Sequence, residues 1–339
     1  MEKIRTVLFG VGAMGGLIAR HLLQTKGFQI VGAIDQSKEK AGKDLGEILG
    51  LEKTVGVTVN QDAEAVLAKT TPHIVIHATS SHMKDVFNQL VKIVKNGANV
   101  VSTCEELSAP YYSEPQLAQE LDILAKTEGV TVLGTGINPG FLMDTLVITL
   151  SAVCQEIEEI KVTRIMNAGT RRVPFQKKIG AGLEVDTFRE RIKSGLIKGH
   201  IGLEQSISMI ATALAWHLGK IQAGPVEPII APIPVESKAI KVKTGFVAGL
   251  KQTAKGYQND NEVIALEFQA YIGAEDEYDS ISIKGVPNIN QKISPCIHGD
   301  IGTVAMVTNS IPKVINARAG LLTMKDLPVP SATIHSPLK

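Results

Sequence analysis

The stretch VLFGVGAMGGLIARHLLQTKGFQIVGAID, residues 7–35, leaves few choices of fold. An apolar run meets glycines spaced G-x-G-x-x-G at Gly10, Gly12 and Gly15. Apolar residues at helical spacing follow, and a second apolar run ends in Asp35. Gly10 permits a tight strand-to-helix turn, Gly12 lets the backbone approach a diphosphate, and Gly15 lets helix and strand pack closely. Ala13 and Met14 open the helix, whose unpaired N–H groups suit an anion. Asp35 lies about 20 residues past the last glycine, where a carboxylate can accept ribose hydroxyls. The stretch is therefore read as a dinucleotide-binding βαβ unit, with a purely structural turn as the alternative. Asp35 favours NAD, since a 2′-phosphate would meet its charge. Ser37 and Lys38 lie just beyond it and leave NADP open.

Strand and helix patterns alternate up to GTG at residues 134–136, which implies right-handed crossovers and a parallel sheet covered on both faces. The strand ends of such a sheet face the cofactor at the topological switch point. Thr79, Ser80 and Ser81 after the fourth strand are thereby nominated, with Ser102 and Thr103 after the fifth, as ligand contacts or as turn caps. After Gly140 the texture changes. FLMDTLVITLSAVCQ reads as a long helix, IEEIKVTRIMNAG as a strand, and TRRVPFQKKIGAG as a basic loop. HIGLEQSISMIATALAWHLGK reads as another helix, carrying Trp216 and His217, and β-like runs follow it. GDIGTVAMVTNSIPKVINA returns to helix. The expected architecture is α/β: a Rossmann-type doubly wound parallel sheet over residues 1–143, then an α+β domain on a mixed or antiparallel sheet over 144–299. Residues 300–339 are expected to pack back on the first domain. The β-rich second domain suits pairing across a two-fold axis, so a homodimer is expected.

A formal net charge of +1 favours neither nucleic acid nor an anionic membrane as partner, and a small-molecule substrate is expected. With 20% charged and 44% hydrophobic residues the composition is that of a soluble globular protein. No uncharged apolar stretch is long enough to span a bilayer, and MEKIRTVLFGVG does not read as a signal peptide. Three scattered cysteines, Cys104, Cys154 and Cys296, argue against a disulfide framework or a zinc site, and no histidines have metal-ligand spacing. The cytoplasm is the expected compartment.

VVSTCEELSAP brings Cys104, Glu105 and Glu106 to the carboxyl edge of the sheet, where nicotinamide would lie. Two acids there can simply open a helical turn. Alternatively, a carboxylate beside nicotinamide can take a proton from an ammonium group and stabilise an adjacent iminium. None of the five tyrosines has a lysine four residues later, as alcohol-oxidising Tyr–Lys systems require. The acid therefore points toward carbon–nitrogen chemistry. Cys104 reads as a small buried side chain.

GVGAMG, VVSTCEELSAP, GTGINPGFLMD, NAGTRRVPFQKKIGAG and HGDIGTVAMVTNSIPKVINARAGLLTMKDLP together resemble the 2,4-diaminopentanoate dehydrogenases and related NAD(P)-dependent amine dehydrogenases. The resemblance covers essentially the whole chain. A more distant similarity to dihydrodipicolinate reductase extends to architecture only, because that enzyme's paired-histidine and lysine motif is absent. The family resemblance implies oxidative deamination of 2,4-diaminopentanoate at C4 to 2-amino-4-oxopentanoate and ammonia, in ornithine degradation, with NAD or NADP. It places the catalytic glutamate in CEEL, taken as Glu105 with Glu106 as the alternative. A substrate bearing a carboxylate needs a cationic clamp, and Arg171 and Arg172 nominate themselves, with Asn167 leading toward an interdomain cleft. The alternative for that loop is a solvated basic surface. Phe141 and His298 are read as pocket walls. An imine or carbonyl reductase and a non-catalytic NAD-sensing regulator are the competing functions.

Overall fold

The computed structural model of the chain describes residues 3–332. It divides into two compact units, one built from the chain up to Phe141 and from Gly299 onward, the other from Leu142–His298. Of the expected segment 300–339, residues 333–339 lie outside the described residues.

The first unit opens with β1 (Ile4–Phe9), α1 (Ala13–Gln24) and β2 (Phe28–Ile34). It continues through α2 (Leu45–Ile48), β3 (Val59–Asn60), α3 (Ala63–Thr70), β4 (Ile74–His77) and α4 (Met83–Lys95). β5 (Asn99–Ser102), α5 (Pro110–Ser113), α6 (Pro115–Thr127) and β6 (Thr131–Gly134) complete the first pass. Thr6 to Phe9 and all of β4 are buried, as strands covered on both faces must be. α4 shows how the pattern drives the layer. Its Met83, Val86, Leu90, Ile93 and Val94 are buried at helical spacing, in one apolar cluster with Val75 and Val100 of the sheet. SKEKAGKDLGEIL, polar and helix-like in sequence, is helical only over Leu45–Ile48. The reason is Asp44, whose carboxylate accepts the N–H groups of Gly46, Val55, Gly56 and Val57 and winds the segment into a loop.

The second unit begins with α7 (Thr145–Ser151), shorter than the expected helix because Asp144, fully buried, caps it at Thr145. β7 (Glu156–Asn167), α8 (Val173–Lys178), α9 (Val185–Lys193) and α10 (Leu203–Ala213) follow. The basic segment is thus partly helical rather than a simple loop. α10 ends before Trp216 and His217, contrary to the sequence expectation. Ala215 takes a positive φ of 54°, and Trp216 N–H returns to Ala211 C=O while Ala215 N–H returns to Thr212 C=O. That is a Schellman ending, built here without glycine. The strands are β8 (Lys220–Ala223), β9 (Glu227–Ile230), β10 (Val235–Glu236), β11 (Lys241–Val242), β12 (Val247–Gln258), β13 (Asn261–Tyr271), β14 (Tyr278–Val286) and β15 (Ile289–Ile293). The main sheet runs β15-β14-β7-β13-β12-β8, with β9 also pairing β12. It is mixed: β7 and β13 are parallel, their other pairings antiparallel. Burial alternates along β12 and β14, leaving one face more open than the other.

The chain then returns to the first unit as α11 (Gly299–Ile315) and β16 (Gly320–Leu322). β16 pairs in parallel with β6, giving a seven-stranded parallel sheet in the order β16-β6-β5-β4-β1-β2-β3. The order reverses between β1 and β4, a topological switch point. Among the described residues no helix is long and apolar enough to cross a membrane.

Candidate active site

The glycine turn sits where β1 ends at that switch point. Gly10 has φ +96°, and a Cβ on it would lie 2.4 Å from Ala78 O. A Cβ on Gly15 would meet Gly10 O at 1.9 Å, so these two glycines exist for close packing. Gly12 differs: nothing lies within 4 Å of a Cβ placed there. It is also the N-cap of α1, and no side chain caps that helix. Its first N–H groups, from Ala13, Met14 and Gly15, are left for an anion in open space. The residues therefore fit a dinucleotide diphosphate.

Asp35 follows β2 and faces this turn. Its Oδ2 accepts Val11 N–H at 2.8 Å, and its Oδ1 accepts Ser37 N–H at 2.9 Å. Lys40 Nζ lies 2.8 Å from the same Oδ2. Burial opposes ionisation of Asp35, but Lys40 and the two N–H donors outweigh it and hold the carboxyl below its ordinary range.

The loops after β4 and β5 are bound to each other. Glu106 N–H donates to Ser81 C=O at 3.2 Å, and Cys104 Sγ donates to the same oxygen. The Glu106 carboxylate reaches α4, accepting Met83 N–H at 2.7 Å and pairing with His82 Nδ1 at 2.8 Å. Glu106 thus caps α4, whose N-cap residue His82 supplies no side-chain cap of its own. Glu105 begins a 3₁₀ turn over Glu105–Ser108 and is half-buried, its C=O held by Ser108 Oγ at 2.7 Å. Cys104 is buried between strand and turn; burial first, then the two neighbouring glutamates, push its thiol up to about 12. It stays protonated and inert.

Thr79 and Ser80 are engaged within the protein. Thr79 Oγ1 bonds Gln89 Oε1 at 2.9 Å and lies 3.0 Å from His77 Nε2; Ser80 Oγ donates to Asp85 at 2.8 Å. Thr103 N–H closes onto His77 C=O at 2.9 Å. The Thr79 and Thr103 contacts meet at His77, a histidine to which the sequence assigned no site role. The ring is wholly buried, 2.8 Å from both Ser102 Oγ and Gln89 Oε1. Burial lowers its pKa to about 4, against the hydrogen bond that the ring makes to Gln89 Oε1.

In the second unit the nominated residues gather around the end of β7. Asn167 N–H donates to Glu277 Oε2 at 3.0 Å, and its side-chain oxygen accepts Gly169 N–H at 2.9 Å, capping the next turn. Arg171 is buried, its guanidinium 4.5 Å above the Phe175 ring and near Met166 Sδ. Arg172 is exposed at the N-cap of α8. His298 is half-buried beside a segment pinned by Arg164 and Asp279, two residues that sequence reading missed. Their ion pair is 2.8 Å long with side chains 1% and 6% exposed. Asp279 Oδ2 accepts Ile297 N–H at 2.9 Å, and Arg164 Nη2 donates to Ile297 C=O. Removing one member leaves a charge buried without its partner. Asp279→Ala is expected to lower unfolding stability by about 3 kcal/mol, read by chemical denaturation; a loss below about 1 kcal/mol would mean the arginine is solvated.

Phe141 is the last residue of the first unit before the chain enters the second. It lines a cavity of about 170 Å³ with Met306, Asn309, Ser310 and Lys313 on the second half of α11. The first half of α11 is the part that meets the loop after β6, through Thr303 Oγ1 and Ile137 N–H.

A parallel sheet with an open glycine cradle at its switch point, and acids on the neighbouring strand end, defines a nicotinamide-dinucleotide-dependent oxidoreductase. Comparison with known proteins makes this specific. Residues 141–338 match the model of the 2,4-diaminopentanoate dehydrogenase C-terminal domain, and residues 4–107 that of the dihydrodipicolinate reductase N-terminus. The chain is 37% identical over 337 residues to the 2,4-diaminopentanoate dehydrogenase of Acetoanaerobium sticklandii, covering 98% of this chain and 95% of that one. Among solved structures, the amine dehydrogenase of Mycobacterium smegmatis superposes with a TM-score of 0.82 at 30% identity, over 96% of each chain. A dihydrodipicolinate reductase from Paenisporosarcina shares the fold at a TM-score of 0.55 and 14% identity, with 95% of this chain and 98% of that one covered. The chain belongs to the 2,4-diaminopentanoate dehydrogenase family.

Proposed function

We propose that this chain catalyses NAD(P)-dependent oxidative deamination of 2,4-diaminopentanoate at C4, a step of ornithine degradation that also runs in reverse as reductive amination. The observation that carries the reading is the capping role of Glu106, beside which a second acid stands. Glu106 spends both carboxylate oxygens on His82 and Met83, while the neighbouring Glu105 stands half-buried at the same strand end. Glu105 is the base. It takes a proton from the C4 ammonium and frees the nitrogen lone pair. The bound dinucleotide supplies the hydride acceptor. With hydride taken up from C4 when that group is bound, the Glu105 anion would stabilise the iminium left on the substrate. Water then adds to C4, and loss of ammonia leaves the ketone. Per turnover one protonated amine, one water and one oxidised dinucleotide become one ketone, one ammonium ion, one reduced dinucleotide and one proton.

The turn Gly10–Gly15 and Asp35 hold the diphosphate and adenosine ribose in this reading. Ser37, Thr79, Ser80, Ser81 and Thr103 shape the edge. Arg171 and Arg172, with Asn167 and His298, are proposed as the groups that bind the substrate carboxylate. The protein is further proposed to act in the cytoplasm as a homodimer; light scattering that returned the monomer mass would remove the dimer.

The reverse direction provides the test. With 2-amino-4-oxopentanoate, oxidation of reduced dinucleotide is expected only when ammonium is supplied, and with saturable dependence on it. Ammonium-independent oxidation would instead identify a carbonyl reductase, and no turnover with any diamine or oxo acid would leave a binding protein.

A further inference from the structure

We propose that Lys40 sets the balance between NAD and NADP in this chain, acting as the ligand of a 2′-phosphate while paired with Asp35. A bare carboxylate at the end of β2 would accept a 2′-hydroxyl and repel a 2′-phosphate. This carboxylate is not bare. Lys40 Nζ lies 2.8 Å from Asp35 Oδ2 and donates to Val11 C=O at 3.0 Å. The ammonium is thereby tied both to the ribose-reading acid and to the glycine turn itself. An ammonium carries three donors, so two are directed at protein and one points elsewhere. In the pair the lysine side chain is 29% exposed and the aspartate 12%, which makes the cation the outer member. An arriving phosphate meets positive charge first. A hydroxyl still finds an acceptor in Asp35 Oδ1, which accepts Ser37 N–H at 2.9 Å and is not the oxygen that Lys40 holds. Lys38, the cation that the sequence suggested for this role, is exposed, while the ion pair belongs to Lys40.

The proposal rests on the dinucleotide site at the glycine turn, and direct binding separates the two. Purified full-length wild type, Lys40→Met and Lys40→Arg are titrated calorimetrically with NAD⁺, NADP⁺, adenosine 2′,5′-bisphosphate and AMP. Loss of one charge-assisted contact predicts that Lys40→Met weakens NADP⁺ and the bisphosphate by about 20-fold, with NAD⁺ and AMP within about threefold. Lys40→Arg should recover most of the loss. Equal weakening of all four ligands would show that Lys40 merely braces the turn, and unchanged binding of all four would show that it touches no phosphate; either overturns the proposal. Wild type that bound neither dinucleotide would overturn it together with the site beneath it.

Discussion

Glu105→Gln is expected to lower kcat about a thousandfold and leave dinucleotide affinity within about twofold, whereas Glu106→Gln is expected to lower the melting temperature and spare most of the turnover. The two acids are adjacent in sequence, and Glu106 caps α4. A glutamine at 105 keeps shape and polarity but accepts no proton, so the C4 amine stays charged and its lone pair unavailable. The loss falls on the chemical step because Glu105 lies on the β5 loop, separate from the glycine turn that binds the diphosphate. A glutamine at 106 can still accept one hydrogen bond, from Met83 N–H or from His82. What it loses is the negative charge at the N-terminus of α4, worth about 1 kcal/mol. Steady-state kinetics, nucleotide titration and thermal melting of both variants decide the matter. The reverse pattern, with Glu106→Gln inactive and Glu105→Gln near normal, would exchange the two roles.

Acid is expected to destabilise both units well above the range where carboxylates titrate. His77 in the first unit is fully buried and held neutral to about pH 4. His200 in the second is held neutral to about pH 3 by burial and then by the charges of Lys178 and Arg164. It stacks on Phe268 at 4.5 Å. In the unfolded chain both rings regain a value near 6.5, so below that pH the unfolded state binds more protons than the folded one. Stability is therefore complete above about pH 6.5 and falls as the pH drops toward 4. At about 1.4 kcal/mol per proton and pH unit, His77 alone costs about 3 kcal/mol by pH 4, and His200 a similar amount over the same window. Denaturant midpoints measured from pH 7.5 to 4 should show the decline. His77→Asn should flatten it by about one proton's slope, and an unaltered slope would place the titrating groups elsewhere.

Much of the first unit could be read from sequence because its signals are local. The Met83-to-Val94 face declares a helix at its own spacing, and Gly10, Gly12 and Gly15 occupy positions where two need close packing and one needs space. The ligation around Asp35 was less accessible. Lys40 reaches the acid only because residues 37–43 turn rather than form the helix their polar pattern suggests. α10 gave no terminal signal, since Ala215 holds the left-handed position that glycine normally marks. Arg164 and Asp279 are 115 residues apart and meet only because β7 and β14 pair. No window of sequence contains that contact. Glu105 and Glu106 were indistinguishable as letters; their difference comes from α4, whose start needs a cap.

The late return of the chain to its first sheet has a consequence for biosynthesis. On the ribosome, β6 emerges with one edge bare, and all of Leu142–His298 must be made before Gly320–Leu322 exists to cover it. For that interval the nascent protein exposes an unpaired strand, the sort of surface that recruits chaperones or neighbouring chains. Truncations just short of β16 should accumulate as aggregates rather than as a smaller folded protein, and soluble yield should depend on how fast translation reaches the last strand.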